Sequence, residues 1–450
     1  CLGVWVCYLS LMTVGEPFLS FQWDILLIET SLLSVLFIPL KKFHHPKDSV
    51  RISKVGRILL MGLLFKLMFE SGIVKFTSFA SDGTNTWRNG SALDFHYWTQ
   101  PIPHRLSWYI DRLPKEFDIL CLQLMYFTEI ILPFFFFFPR NLRHFSFLAQ
   151  LFLQTAILLS GNYGYFNLLT LVLCMPLVDD QFLPSRFHKY FLPQKDRKFL
   201  GIQILHNTRT IILSCLLVVF VWSGYHFLAN DLSGGNTRKH LMSNSFTTEL
   251  LTKLNLTHSM NSYGLFRVMT TSRPELMLEA SMDGKNWKSF KFKWKPGDLN
   301  RVPGLASPHM PRLDWQMWFE ALNAESYANN LFSNYLYSRF LQIVGEGGSR
   351  EDLLNLSKVL GPAEILSLDK ASKASRQNFL NQYNSLINAF LNRSWWFAAF
   401  LEGLLSAEPA ILELLESSPF GTEQPNYIRI TLWEYRFASS QAKENGFWWE

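Results

Sequence analysis

The 450-residue chain is short of charge and of cysteine, and it carries none of the common catalytic signatures. Lys, Arg, Asp and Glu together make up 17% of it, against about 25% in an ordinary soluble domain. That composition excludes a chain that is water-soluble throughout. Five cysteines occur, Cys1, Cys7, Cys121, Cys174 and Cys215, and each falls inside an apolar run. The polar remainder therefore has no disulfide framework, and without a C-x-x-C pair the chain is not expected to act alone as a thiol oxidoreductase. There is no G-x-S-x-G elbow, no H-E-x-x-H and no phosphate-cradling glycine loop, so the patterns of common hydrolases, zinc proteases and nucleotide binders are missing. His44, His45, His96 and His104 read as hydrogen-bonding surface or interface residues, because a metal site needs three or four ligands and none can be assembled around them. No metal, cofactor, catalytic residue or nucleic-acid partner is expected.

What the chain has instead is apolar bulk: 48% hydrophobic residues, 16% aromatics and forty phenylalanines. Almost all the long apolar runs lie before residue 230, and the rest has the composition of a soluble domain. The expected fold is a multi-pass α-helical membrane domain of about six to seven helices over 1–229, with a non-cytosolic loop at 80–116. A second, non-cytosolic α+β domain containing a β-sandwich is expected over 230–450. Candidate spans are 1–14, 18–40, 57–79, 117–138, 145–160, 164–178 and 210–229, about 20 apolar residues being the usual requirement. The fifth and sixth are short, and the "SGNYGYFN" joint between them reads as a helical hairpin that does not cross fully. The numbering starts inside an apolar run without the basic region or cleavage site of a signal peptide, and both natural termini are expected to lie outside this sequence.

Orientation follows from basic residues in short loops. The loops after the second, fourth and sixth spans hold Lys41, Lys42, Lys47, Arg51, Lys54 and Arg57, then Arg140 and Arg143, then Arg186, Lys189, Lys195, Arg197, Lys198 and Arg209. All three fall on one side, the cytosol. The sequons at Asn89, Asn255, Asn355 and Asn392 then all fall on the opposite side, where glycosylation is possible.

Six ionisable residues sit inside the spans: Asp24, Glu29, Lys66, Glu70, Lys75 and Glu129. Charges in hydrocarbon face a bundle interior or a cavity. One reading makes them ion pairs locking the helices together, with Lys66 and Glu70 able to pair four residues apart on one helix face. The other gives them a catalytic or transport role.

In the second domain, residues 244–305 read as β-rich, 306–420 as helical and 421–450 as a terminal strand region. "ELMLEASMDGKNWKSFKFKWKPGD" has hairpin grammar around Asp283-Gly284, with Trp287 followed by Phe290, Phe292 and Trp294 alternating with lysines. The S-x-D-G-x-x-W turn resembles the galactose-binding type of β-sandwich at the level of fold. Residues 324–394 read as amphipathic helices, "SWWFAAFLEGLLSAEPAILELLESSPF" as helix up to Pro419 but not as an eighth span, and "NYIRITLWEYRF" as a strand. In "HMPRLDWQMWFEAL", Trp315, Trp318, Phe319 and Leu322 follow helical i, i+3, i+4, i+7 spacing. Such a stripe is either core packing or docking, or a binding surface for non-native clients. Arg312 and Asp314, two apart, cap or pair elsewhere.

Several of these segments resemble the lipase maturation factor family: "HMPRLDWQMWFEAL", "SRPELMLEASMDGKNW", "ESGIVKF", "DFHYWTQPIPHRLSWYIDRLP" and "GNYGYFNLLTLVLCMPLVDD". The resemblance covers nearly the whole chain except 324–394. It implies a multi-pass endoplasmic-reticulum membrane glycoprotein with a lumenal C-terminal domain. Its partners would be membrane lipids, secretory clients such as dimeric lipases, and lumenal chaperones. It also implies a distant similarity of the membrane half to the vitamin K-dependent carboxylase fold, and no catalytic residue carries over. A membrane-embedded enzyme and a glycan-binding quality-control factor remain as alternatives.

Overall fold

The computed structural model describes residues 2–37, 53–80, 82–179, 182, 200–232, 245–326 and 394–450. Two compact units emerge: Cys1–Thr271 with Gly304–Met310, and Ser272–Pro303 with Pro311–Glu450. The first unit thus extends beyond the expected boundary at 229, because Met260 and Tyr263 pack into its hydrophobic core.

The first unit is helical: α1 (Leu2–Val14), α2 (Gln22–Phe37), α3 (Lys54–Thr77), α4 (Thr86–Asn89), α5 (Leu93–Thr99), α6 (Arg105–Ile110), α7 (Lys115–Tyr126), α8 (Arg140–Ser160), α9 (Phe166–Cys174), α10 (Leu200–Leu232) and α11 (Ser245–Leu256). The last occupies part of the stretch expected to be β-rich. Helix α3 is the core element. Leu59, Leu63, Leu64 and Leu67 are all buried, as a helix enclosed by neighbours requires. Its ends are closed locally. Ser53 accepts the Gly56 N–H, and the Asn85 amide donates to the carbonyls of Lys75, Phe76 and Ser78, serving carbonyls that a helix C-terminus leaves unpaired. Asn85 Oδ1 takes the Arg88 N–H and so also caps α4.

After α7 the helix widens into a π turn (Phe127–Ile131) and then tightens into a 3-10 stretch (Leu132–Phe137). The sequence explains this. The Leu132 N–H reaches back five residues to the Phe127 carbonyl, and the next donor in that register would be Pro133, which has no N–H. The Thr128 carbonyl takes the Gln150 amide of α8 instead, at 2.9 Å, and Ser146 serves the Leu132 carbonyl at 2.7 Å. Irregular backbone at membrane depth needs such internal partners.

Among the described residues, Lys115–Phe137, Arg140–Ser160 and Thr210–Ala229 are long and apolar enough to cross a membrane, fewer than the seven expected. Helices α1 and α2 have 13 and 16 residues, and the 24-residue α3 carries Arg57, Lys66, Glu70 and Lys75. The expected short arm at 145–160 begins at Arg140, which gives α8 its 21 residues.

The second unit holds one three-stranded antiparallel sheet in the order β2-β1-β3, from β1 (Pro274–Ser281), β2 (Lys288–Ser289) and β3 (Tyr427–Glu434). The described residues contain no second sheet facing it. The hairpin turn is where the sequence places it, with Gly284 at φ 70° and Ser281 and Asp283 accepting the backbone N–H groups of the turn. Strand β2 is only two residues long, because Lys291 bridges to Ser417 instead of continuing along β1. The partner along the whole of β1 is β3, in register from Pro274↔Glu434 to Ser281↔Tyr427. The helix at 312–326 is α12, followed by α13 (Trp395–Leu405), α14 (Pro409–Leu412) and α15 (Ser440–Glu444). The helix expected to run on to Pro419 stops at Leu405: Ala407 turns left-handed (φ 51°), and Glu408, directly before Pro409, is extended, the residue before a proline being disfavoured as helix. Asn355, Asn392 and nearly all of 324–394 lie outside the described residues.

Candidate functional site

All six intramembrane ionisable residues are buried in the helical unit, and they form three clusters. Asp24 of α2 accepts the Tyr8 hydroxyl at 2.5 Å and the Tyr165 hydroxyl at 2.7 Å. Glu29, one turn and a half further on, gathers Lys66 at 3.2 Å, the Tyr263 hydroxyl at 2.7 Å and the Asn261 amide at 2.9 Å. Lys66 also lies over the rings of Phe220, Phe227 and Tyr263 at 5.3–5.6 Å, a cation–π setting that partly replaces lost hydration. The ion pair at Lys66 is therefore made across helices, with Glu29, where the sequence spacing pointed to Glu70. Glu70 accepts the Tyr263 backbone N–H at 2.8 Å.

The third cluster joins Lys75 of α3 to Glu129 on the π turn at 2.6 Å. The two backbones come close because residue 72 is glycine. A Cβ there would stand 2.6 Å from Ile130 Cγ1 and 3.0 Å from Glu129 Cβ, which real side chains do not tolerate. The pair forms part of the wall of a cavity of about 220 Å³, lined chiefly by apolar side chains. His96 and Tyr163 are also in the wall, with Nε2 and hydroxyl 2.9 Å apart. The Tyr163 hydroxyl donates to Gln100 at 2.7 Å, and Asn167 donates to Gln154 at 2.8 Å. Burial, reinforced by the nearby Lys75 charge, pulls His96 down to about 4, so its imidazole is neutral at physiological pH. His104 is a buried helix cap whose Nδ1 accepts the Leu106 N–H.

Composition drew attention to the charges and missed the tyrosines. Tyr8 and Tyr165 donate their hydroxyls to Asp24, Tyr263 donates to Glu29, and Tyr163 donates to Gln100 in the cavity wall. Two of them stand in the "SGNYGYFN" joint, and a tyrosine needs a partner for its hydroxyl when buried, which is the signal that would have found them.

In the second unit, Trp315 and Trp318 are buried in the core while Phe319 is 38% exposed. Asp314 accepts the Trp294 and Lys295 N–H groups at 2.8 and 2.9 Å, and burial raises its carboxyl above the usual range. Arg312 lies half-buried at the start of α12. A buried cluster that sequence reading did not find lies beneath the sheet, where Glu275 pairs with Arg273 at 2.9 Å and with Lys295 at 3.0 Å. Asn89 is exposed, with Oδ1 accepting both the N–H and the hydroxyl of Ser91.

Fold and site together define a helical membrane domain, its buried charges held in hydrogen-bonded clusters, joined to a smaller sheet-containing domain. Residues 1–185 match the lipase maturation factor transmembrane domain, and 259–347 with 381–450 match the lipase maturation factor C-terminal domain. This chain belongs to the lipase maturation factor family. It is 34% identical over 427 residues to lipase maturation factor 2 of Xenopus tropicalis, covering 75% of this chain and 59% of that protein. With lipase maturation factor 2 of Homo sapiens it is 29% identical over 542 residues, covering 99% and 66%. Lipase maturation factor 1 of Bos taurus is 29% identical over 356 residues, covering 75% and 60%. The chain thus spans about three fifths of the length of the frog relative. No solved structure matches it.

Proposed function

We propose that this protein is a multi-pass endoplasmic-reticulum membrane factor whose 230–450 region is lumenal, and that it assists the folding and assembly of secreted proteins, dimeric lipases among them, without itself catalysing a reaction. The observation that carries this reading is the match of both parts of the chain to domains of lipase maturation factors. The geometry supports it. Lys66 and Lys75 are closed into pairs with Glu29 and Glu129, an arrangement that fixes helices against one another; a free buried amine would instead mark a base or nucleophile.

Client contact belongs to an exposed surface, which Trp315 and Trp318 do not provide. Strand β3 does. It is an edge of the described sheet and exposes Tyr427, Ile430, Leu432 and Trp433. An edge strand with apolar side chains is a template for an extended, not yet folded segment. Lumenal chaperones and membrane lipids complete the expected partners.

The test is secretion. Cells lacking the protein are expected to release less active lipase at unchanged transcript level, and the reintroduced full-length protein restores it. Normal secretion from the deficient cells overturns the proposal.

A further inference from the structure

The 220 Å³ cavity of the helical unit is larger than the roughly 150 Å³ apolar cavity that stays dry and takes up benzene. By that scale it holds roughly nine non-hydrogen atoms. Most of its wall is hydrocarbon, with Phe117, Ile157 and Phe166 representative, and it is partly open. Two wall residues, Phe117 on α7 and Ala156 on α8, are also exposed. Both helices belong to stretches long and apolar enough to cross a membrane, so the rim lies between two lipid-facing helices.

The polar part of the wall is electrically balanced. Lys75 and Glu129 neutralise each other, and the remaining polar groups are chiefly the neutral His96, Tyr163, Gln154 and Asn167. His96 Nδ1 and Asn167 Oδ1 are buried acceptors that find no hydrogen-bond donor among the described residues, the Tyr163 hydroxyl beside His96 Nε2 being already given to Gln100. A charged head group brought here would lose its hydration without gaining a counter-ion, whereas a hydroxyl needs only an acceptor for its proton.

We propose that this cavity binds a membrane-soluble amphiphile whose buried part is apolar and whose head is an uncharged hydroxyl group. The ligand enters from the bilayer past Phe117 and Ala156 and places its head among the polar side chains of the wall. A longer tail extends back through the opening.

The experiment uses the full chain reconstituted in phosphatidylcholine vesicles and a long-chain alcohol carrying a photoactivatable diazirine, with labelled peptides mapped by mass spectrometry. Label concentrated on the cavity segments of α3, α7 and α8, and displaced by unlabelled oleyl alcohol, is the expected result. Ala156→Trp, which fills the rim from the outside, is expected to reduce that label at least tenfold at unchanged melting temperature. Ala156→Leu is the milder variant should the tryptophan disturb folding, with a smaller loss expected. Label spread over the outer faces and indifferent to both variants overturns the site. Oleate competing as well as oleyl alcohol overturns the uncharged head.

Discussion

Lys75 Nζ lies 2.6 Å from Glu129 Oε2, and the two residues come from backbones of different pitch, a regular α-helix and a π turn. The π turn rests on Pro133 and on the Gln150 amide that serves the Thr128 carbonyl. An extra residue in a turn rotates the helix downstream of it, so the ion pair and the irregular backbone form one device. Breaking the pair from either side, with Lys75→Met or Glu129→Gln, strands a buried polar partner. A loss of about 3–5 kcal/mol is expected for removing one member of a buried pair. The double variant Lys75→Met/Glu129→Leu is expected to recover most of it. Thermal unfolding of the detergent-solubilised protein reads all three, and a double variant no better than the singles refutes the coupling.

The tryptophans of α12 give an independent check on core against surface. Trp315 and Trp318 are buried and Phe319 is exposed on the same helix. Replacing either tryptophan by alanine is expected to cost about 3–5 kcal/mol, the range for a large buried aromatic, while Phe319→Ala stays near about 0.5 kcal/mol, as surface changes do. Unfolding curves of the three variants decide it. A tryptophan variant with full stability and lost client binding would return the stripe to the surface.

How legible each feature is in the sequence depends on how far apart its parts lie. The Asp283-Gly284 turn and the strand "YIRITLWE" are local, and their residues announce them. The pairing of β1 with β3 joins segments about 150 residues apart, and no local pattern encodes it. Likewise Lys66 and Glu70 share a helix face, but a buried lysine settles where the most donors and acceptors converge, which is Glu29 with Tyr263 and Asn261. The six buried charges could be named from their places within apolar runs. Their partners could not, because many of them are tyrosines that read as ordinary aromatics in a chain rich in them.

His96 makes stability depend on pH in a defined direction. Its folded value is depressed to about 4 from 6.5, so between these values the unfolded chain binds more protons than the folded one. Stability is complete above about 6.5 and falls as pH drops toward 4. Lys75 and Tyr163 face the ring, and neither replaces the missing hydration of an imidazolium. His96→Gln is expected to flatten the melting temperature between about pH 6.5 and 4.5 relative to the parent. An unchanged slope in the variant would mean that other groups carry the acid sensitivity.

Asn89 tests the orientation. It is exposed, ends a short helix, and its side chain is already turned onto Ser91 within the Asn-Gly-Ser sequon. A lumenal 80–116 loop predicts a glycan there. Treatment with an N-glycosidase should raise the gel mobility of the parent by one step more than that of Asn89→Gln. Equal shifts, together with labelling of a Gly83→Cys variant by a membrane-impermeant reagent from the cytosolic side, would reverse the topology.

The edge strand offers the sharpest test of client contact, because its exposed side chains can be changed without touching the core. Ile430 and Trp433 are 39% and 58% exposed, on the strand whose other edge is already occupied by β1. Charged residues on an edge strand oppose the addition of a further strand. Ile430→Lys/Trp433→Lys is therefore expected to leave the melting temperature nearly unchanged, since solvent-facing substitutions usually cost within about 0.5 kcal/mol. Lipase secretion in deficient cells rescued with this variant is expected to fall severalfold below rescue with the parent. Full rescue by a stably folded variant would remove β3 as the client surface while leaving the family membership untouched, and would shift attention to other exposed surfaces of the chain.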